Sequence, residues 1–504
     1  MKRSNIILLI ILLIAAFFRV WQLSSIPPGL YPDEAINGNE AIINPGKLFY
    51  PENNGREGLF MNLINLSFSL FGTSVWSLRI VSAFFGILTV LGIYLLTKEL
   101  FGQETTALLA AFFLAVSFWH INFSRIVFRA ILVPFILVFA FYFLFKGLKL
   151  NKKLNLLIAG IFFGLGFYTY ISYRFVVLLL PFSLIPQWLI YRKENRQKEF
   201  LINVCCLMLA IFIVALPIGF YFLQNPQDFM SRSGPISIFS AENPIKELAK
   251  STILHLAMFN IAGDWNWRHN FSGSPQLFWP IGIMFLTGLY ISLRKSQNSF
   301  LVIWLLIMAL PGILTYEGVP HSLRVIGVIP AVYILAALGG QHLCRWLKDR
   351  LKNKRLLALS CFVFLNFLIF AQFNKYFILW SQNPNTQDAF SKDFVCLGNY
   401  LNSLSADVQK YIIVNMPGVS VPLPDGISVS AQTPMFIERT KWNELRAEYI
   451  KSDQIDEIRA DERETVIIPM KYDPILLTQL QEKFPRGIME NKNGILIFNI
   501  QKNN

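Results

Sequence analysis

Two adjacent carboxylates, Asp33 and Glu34, stand in SSIPPGLYPDEAINGNEA, residues 24–41, just past an apolar run. A carboxylate within about 2.6–3.2 Å of a hydroxyl can take its proton, so the pair suits general-base work. A structural use is equally available. Pro32 fits the first position of a helix, and acids in the first turn complement the helix dipole. A helix starting at Pro32 puts Asp33, Asn37 and Glu40 on one face, a polar stripe that a water-borne molecule can approach.

Cations are spread over other segments. Arg56 precedes the apolar stretch GLFMNLINLSFSLFG (58–72). SFWHINFSRIVFRA (117–130) offers His120, Arg125 and Arg129, and YTYISYR (168–174) offers Tyr170, Tyr173 and Arg174. GDWNWRHNFSG (263–273) adds Asp264, Arg268 and His269, while TYEGVPHSLR (315–324) adds Tyr316, Glu317, His321 and Arg324. Singly, each suits a side chain snorkelling at a membrane boundary. Convergent Arg with Tyr and His at that depth is what binding a lipid-linked phosphate requires.

Those segments need a scaffold, and composition says which kind. Of 504 residues, 54% are apolar and 15% charged, with a mean hydropathy of +0.47. Soluble domains carry about 25% charged residues, so a membrane protein is expected. The net charge of +14 does not point to nucleic acid. Residues 381–504 hold 13 Lys+Arg against 16 Asp+Glu, so the positive excess belongs to the membrane half. The five cysteines show no disulfide framework or metal-type spacing.

Apolar runs near 6–23, 76–97, 105–121, 131–149, 154–172, 175–191, 200–223, 276–293, 299–315, 323–343 and 355–376 predict about eleven transmembrane helices. The first is read as a retained span. With the N-terminus inside, Lys2/Arg3, Lys98, KGLKLNKK, RKENRQK, Arg294/Lys295 and RWLKDRLKNKR all fall on the cytoplasmic side, as the orientation rule asks. The segment 58–72 is too short to cross ~30 Å of hydrocarbon at ~1.5 Å per residue, so it is expected as an interfacial helix in a long external loop, residues 24–75. NPIKELAKSTILHLAMFNI (243–261) reads as a second one in the loop 224–275. The chain thus divides into a transmembrane domain, 1–380, and an extracytoplasmic tail, 381–504. The tail reads as a small α/β domain, with a helix in TQDAFSKDFVCLGNYLNSLS, strands at 411–416 and 464–470, a helix in DPILLTQLQEKF and a hairpin turning at Asn-Gly in GIMENKNGILIFNI.

GLYPDEA after the first span, residues 55–102, SRIVFRAILVP (124–134), FGLGFYTYISYRFVVL and VPHSLRVIGVIPAVYILAALG (319–339) resemble polyprenyl-phosphate-sugar-dependent glycosyltransferases of the GT-C superfamily. The nearest group is similar to the bacterial relatives of dolichyl-phosphate-mannose–protein mannosyltransferases and of the aminoarabinose-to-lipid-A transferase. The resemblance implies a cytoplasmic-membrane enzyme that moves a sugar from a polyprenyl-phosphate donor to a protein, lipid or glycan acceptor on the outer face. It implies Asp33 as catalytic base with Glu34 beside it, and Arg56 as a donor-phosphate contact, although relatives often carry Lys-Pro-Pro where this chain has Arg56-Glu57-Gly58. Arg125, Arg129, Arg174, His321 and Arg324 are the further phosphate candidates, and Glu40, Tyr173, Arg268 and His269 the acceptor or sugar candidates. No metal is expected, because SFWHINFSRIVFRA holds no acid to supply a second ligand. The alternative is a transporter or flippase of lipid-linked sugars. Such proteins carry ionisable groups near the midplane of repeated halves, whereas the spans here are nearly free of acids.

Overall fold

A computed structural model describes residues 3–230, 234, 236–295, 298–351, 353–422, 425–460, 463–492 and 494–501. Helices occupy all eleven predicted runs. Seven are long and apolar enough to cross a bilayer: Arg3–Val20, Val75–Phe101, Arg129–Leu150, Ile171–Lys193, Gln197–Gln224, Ile326–Arg350 and Arg355–Trp380. The others are shorter. Trp279–Arg294 and Ser299–Ile313 have 16 and 15 residues. The run 105–121 breaks after Ala115, where Ser117 accepts a hydrogen bond from the His120 N–H and caps a new six-residue helix. The run 154–172 stops as an α-helix at Gly166. Breaks of this kind survive in a membrane protein only where protein buries the freed backbone, and residues 110–138 are buried throughout.

Both segments expected as interfacial helices are helical, as Leu59–Phe71 and Pro244–Ala257. The first buries Phe60, Met61, Ile64 and Phe68, recurring at helical spacing, and leaves Leu66, Leu70 and Phe71 exposed. Such an exposed apolar face suits a membrane surface.

The tail forms a five-stranded sheet ordered Glu448–Lys451, Gln409–Val414, Thr465–Pro469, Ile495–Ile500, Ile488–Lys492. The first three strands are parallel, and the last two add antiparallel. Ile412, Val414, Val466 and Ile468 cover one face under helices Lys392–Ser403 and Gln432–Trp442. Tyr411, Ile413 and Ile467 cover the other, against helix Pro474–Lys483. The expected terminal hairpin is there, while Asn493 of its turn lies outside the described residues. Helix Gln432–Trp442 was not legible, because Pro434 interrupts a short and weakly periodic run; proline is tolerated there, in the first turn.

That helix fastens the tail to the helix Pro32–Ile43. Asn39 Nδ2 donates to the backbone oxygen and Oε1 of Gln432, at 3.0 and 2.8 Å, and Asn39 Oδ1 accepts from Arg439 at 2.8 Å. Thr433 Oγ1 donates to the Leu30 carbonyl. Gly38 is required by this contact, since a Cβ there would sit 2.6 Å from the Phe436 ring. Overpacking of this kind costs about 1–3 kcal/mol. Gly38→Val should therefore lower thermal stability and expose the tail to limited proteolysis, and a proteolysis pattern equal to wild type would show that the ring moves aside freely.

Candidate functional site

The helix Pro32–Ile43 begins at the proline and carries both acids in its first turn, as its sequence suggests. Neighbouring residues on a helix point in different directions, and here that separates the two carboxylates. Glu34 is fully buried. It meets Arg79 at 3.3 Å and accepts from the Val127 N–H at 2.9 Å and the Tyr31 N–H at 3.2 Å. Arg79 also donates to the Leu23, Pro27 and Gly29 carbonyls. The Glu34 carboxylate thus clamps the first loop to the second span and is turned away from solvent. Asp33 is half-buried and accepts one hydrogen bond, from Asn53 Nδ2 at 2.8 Å.

The expected polar stripe exists, but a cation fills most of it. Arg56 is 2% exposed and donates to Asn37 Oδ1 at 2.9 Å, Glu40 Oε1 at 3.4 Å and the Glu52 carbonyl at 3.3 Å. Asn37 in turn donates to the Val127 carbonyl. Burial lowers the Arg56 pKa, while Glu40 and, less strongly, Asp33 oppose the shift. Arg56 and Glu40 thus hold each other beneath Asp33, rather than standing open as phosphate and acceptor contacts.

Arg56 and Glu57 pair with Tyr50 and Phe49 in a short antiparallel ladder. Strand alternation sends them to opposite sides. Glu57 reaches Arg129 Nε at 2.8 Å and lies 3.9 Å from Arg174, so one carboxylate bridges two guanidiniums. The Arg129 guanidinium also sits over the Tyr170 ring, at 5.3 Å. Arg174 lies over the Phe229 ring at 4.0 Å and donates to its carbonyl.

Arg324 lines two cavities at once. One, of about 190 Å³, is apolar and walled by Tyr170, Phe175, Ile236, Phe239 and Leu314. The other, of about 280 Å³, is a polar basin walled by Asp264, Trp265, Asn266, Glu317 and His321. Arg324 is held there by donating to Thr315 Oγ1 at 2.8 Å and the Glu317 carbonyl at 2.7 Å.

In the basin wall Asp264 accepts from the Ser322 N–H and Oγ at 2.8 and 2.9 Å, from His269 Nδ1 at 3.0 Å and from the Asn266 N–H at 2.8 Å. Burial pushes the Asp264 carboxyl up, yet His269, His321 and the Asn266 N–H outweigh it and hold the carboxyl below its usual range. The His269 and His321 rings lie 4.8 Å apart. Phe128 contacts both His269 and Tyr31, and Arg268 covers the Tyr31 ring at 3.9 Å. Burial and the nearby Asp33 raise the Tyr31 phenol, against Arg268. The basin wall and the start of the Asp33 helix are joined through these rings.

Asp264, His269 and His321 could hold a metal ion, with one ligand atom from each and all three within 4.8 Å of one another. One carboxylate and two imidazoles suit zinc, but bonds of about 2.0–2.2 Å set tetrahedral ligands only about 3.4 Å apart. With both Asp264 oxygens already accepting hydrogen bonds, the arrangement fits a hydrogen-bonded cluster better than a coordinated ion.

Two further candidates are enclosed by protein. Arg125 is fully buried and donates to the Phe18, Trp21, Gln22 and Ile26 carbonyls, so it braces the end of the first span instead of facing a phosphate. Tyr173 is fully buried, and its hydroxyl donates to the Phe163 carbonyl out of reach of an acceptor. Arg79 and Glu57 were missed. Arg79 had a signal, because a charge at the start of an otherwise apolar span is costly and needs a partner. Glu57 had only its place next to Arg56.

Residues 59–219 match the model of the dolichyl-phosphate-mannose-protein mannosyltransferase family. YkcB of Bacillus subtilis (strain 168), a mannosyltransferase candidate by its description, is 28% identical over 187 residues, 35% of this chain but only 25% of its own length. An uncharacterized Aquifex aeolicus (strain VF5) protein is 23% identical over 375 residues, 71% of this chain and 68% of that protein. ArnT from Cupriavidus metallidurans, solved bound to undecaprenyl phosphate, superposes with a TM-score of 0.58 at 12% identity, covering 98% of this chain and 97% of ArnT. At that identity the likeness is one of fold. The helical body with its small C-terminal sheet domain, and the family pattern over residues 59–219, make the chain similar to GT-C glycosyltransferases in fold and in that stretch of sequence.

Proposed function

We propose that the chain transfers a sugar from a polyprenyl-phosphate carrier to an acceptor hydroxyl at the outer membrane face. The observation that carries this is the position of Arg324, shared between an apolar cavity and a polar basin. A prenyl chain in the first and a sugar in the second would bring the phosphate between them to the guanidinium. The carrier class is also supported by ArnT, which has this fold and was solved with undecaprenyl phosphate.

The acceptor oxygen attacks C1 of the sugar, the C1–O bond to phosphate breaks, and its electron pair leaves with the phosphate. Phosphate is a competent leaving group, so cations rather than a general acid stabilise the charge that develops. Arg324 is first in place, with Arg174 and Arg129 behind Tyr170. The acceptor proton goes to Asp33, the one of the adjacent pair that solvent reaches. Orientation follows from charge, with basic loops inside and this site outside.

The test is consumption of a panel of polyprenyl-phosphate sugars by purified protein in lipid. Release of polyprenyl phosphate with sugar transferred to an acceptor extract is expected, and Arg324→Met should raise the donor KM at least tenfold, about 1.4 kcal/mol. Failure of the folded protein to consume any donor would overturn the proposal.

A further inference from the structure

Where the parallel strands of the tail sheet begin lies an open basin of about 390 Å³ lined by Val408, Gln409, Lys410, Arg446, Glu448 and Arg463. Three cations from three separate segments converge there. Lys410 is the second residue of the strand Gln409–Val414, Arg446 follows the helix Gln432–Trp442, and Arg463 precedes the strand Thr465–Pro469. Glu448 is the acid in the lining.

Lys410 is the unusual member. Its side chain shares the sheet face of Ile412 and Val414 and the residue is only 3% exposed. Among the described residues it has no side-chain hydrogen bond or ion pair. Its nearest counter-charge, Glu438, is committed elsewhere. Glu438 accepts from Tyr449 Oη at 2.7 Å and from the Ala447 and Arg446 N–H groups at 3.1 and 3.4 Å. Lys441 and Arg446 add like charge around the ammonium, and burial with these neighbours lowers its pKa against Glu438. Arg446 is fixed by stacking at 3.6 Å on Trp442, with Glu444 3.5 Å from its Nε. The stem of Lys410 is packed away while its ammonium opens on the basin, and a half-enclosed charge of this kind gains from a counter-charge. Here the missing partner has a place to sit.

We propose that this basin binds an oxyanion, a phosphate or carboxylate group carried on a small sugar-sized molecule. The volume lies within the ~300–1,000 Å³ of ligand sites, and a guanidinium fork with a point-charge ammonium suits a group with several oxygens. The basin is separate from the Arg324 cavities, and its occupancy does not depend on the transfer reaction proposed above.

The experiment is calorimetric titration of the full chain in zwitterionic-lipid nanodiscs at low salt, with inorganic phosphate, glucuronate and neutral glucose as probes. Arg324→Met serves as the background, so that phosphate bound at the proposed donor position does not contribute. Binding of one or both anions but not of glucose is expected, weakened at least tenfold by Lys410→Met and by Arg463→Gln. Arg463 is exposed, so its variant keeps the fold in question out of the comparison. Preference for phosphate would identify a phosphorylated ligand, and preference for glucuronate a carboxylated one. Equal anion binding by wild-type and variant basins, or binding of neither anion, would overturn the proposal.

Discussion

Asp33→Asn should abolish sugar transfer while leaving the protein folded. A positioned general base contributes about 10²–10⁴-fold, and the amide cannot take the acceptor proton. The fold has little reason to respond. Asp33 is half-buried and accepts a single side-chain hydrogen bond, from Asn53, which the amide oxygen of the variant can also accept. Surface changes of this kind stay within about 0.5 kcal/mol. Donor turnover and thermal unfolding, measured on the same nanodisc preparation, check both halves. Full turnover in the variant would move the base to another group, and the basin acid Asp264 would be examined next.

The adjacent carboxylate should behave in the opposite way. Glu34→Ala removes the buried partner of Arg79 and the acceptor of the Val127 and Tyr31 N–H groups. Breaking a buried ion pair from one side costs about 3–5 kcal/mol, because the remaining charge is left uncompensated. Most domains have only about 5–15 kcal/mol to lose. The variant should therefore express poorly or unfold at much lower temperature. Adding Arg79→Met should restore part of the stability, since removal of both charges avoids the stranded guanidinium. If Glu34→Ala unfolds like wild type, the clamp has no energetic weight. If it folds normally and loses all turnover, Glu34 belongs to the chemistry and its reading as a clamp fails.

Much of the architecture is legible in the chain because it follows local periodicity and length. Among the described residues, each of the eleven apolar runs coincides with helix, seven of them long and apolar enough to cross a bilayer. A run too short to cross sets Leu59–Phe71 apart from the spans, and the short apolar runs of 411–416 and 464–470 find two sheet strands. What local pattern overstates is continuity. Residues 105–121 and 154–172 look like uninterrupted spans, yet both break, since surrounding protein can satisfy backbone groups that lipid could not.

For the site, residue types and spacing by themselves determined where the chemistry-bearing groups cluster: acids just beyond the first span, and arginines at the ends of nearly every other external segment. Which of them face a cavity was decided by tertiary structure alone. Asp33 and Glu34 are equivalent in sequence, and helix geometry turns one outward and the other into a guanidinium. Arg125 and Arg324 both sit in external segments rich in aromatics. Arg125 is consumed by four backbone carbonyls at the end of the first span, whereas Arg324 lines the boundary of two cavities. The physical reason is common to both pairs. A charged group costs too much to bury without partners, and the partners that enclose Glu34 and Arg125 come from segments 45 to more than 100 residues away, whose arrival no local pattern records.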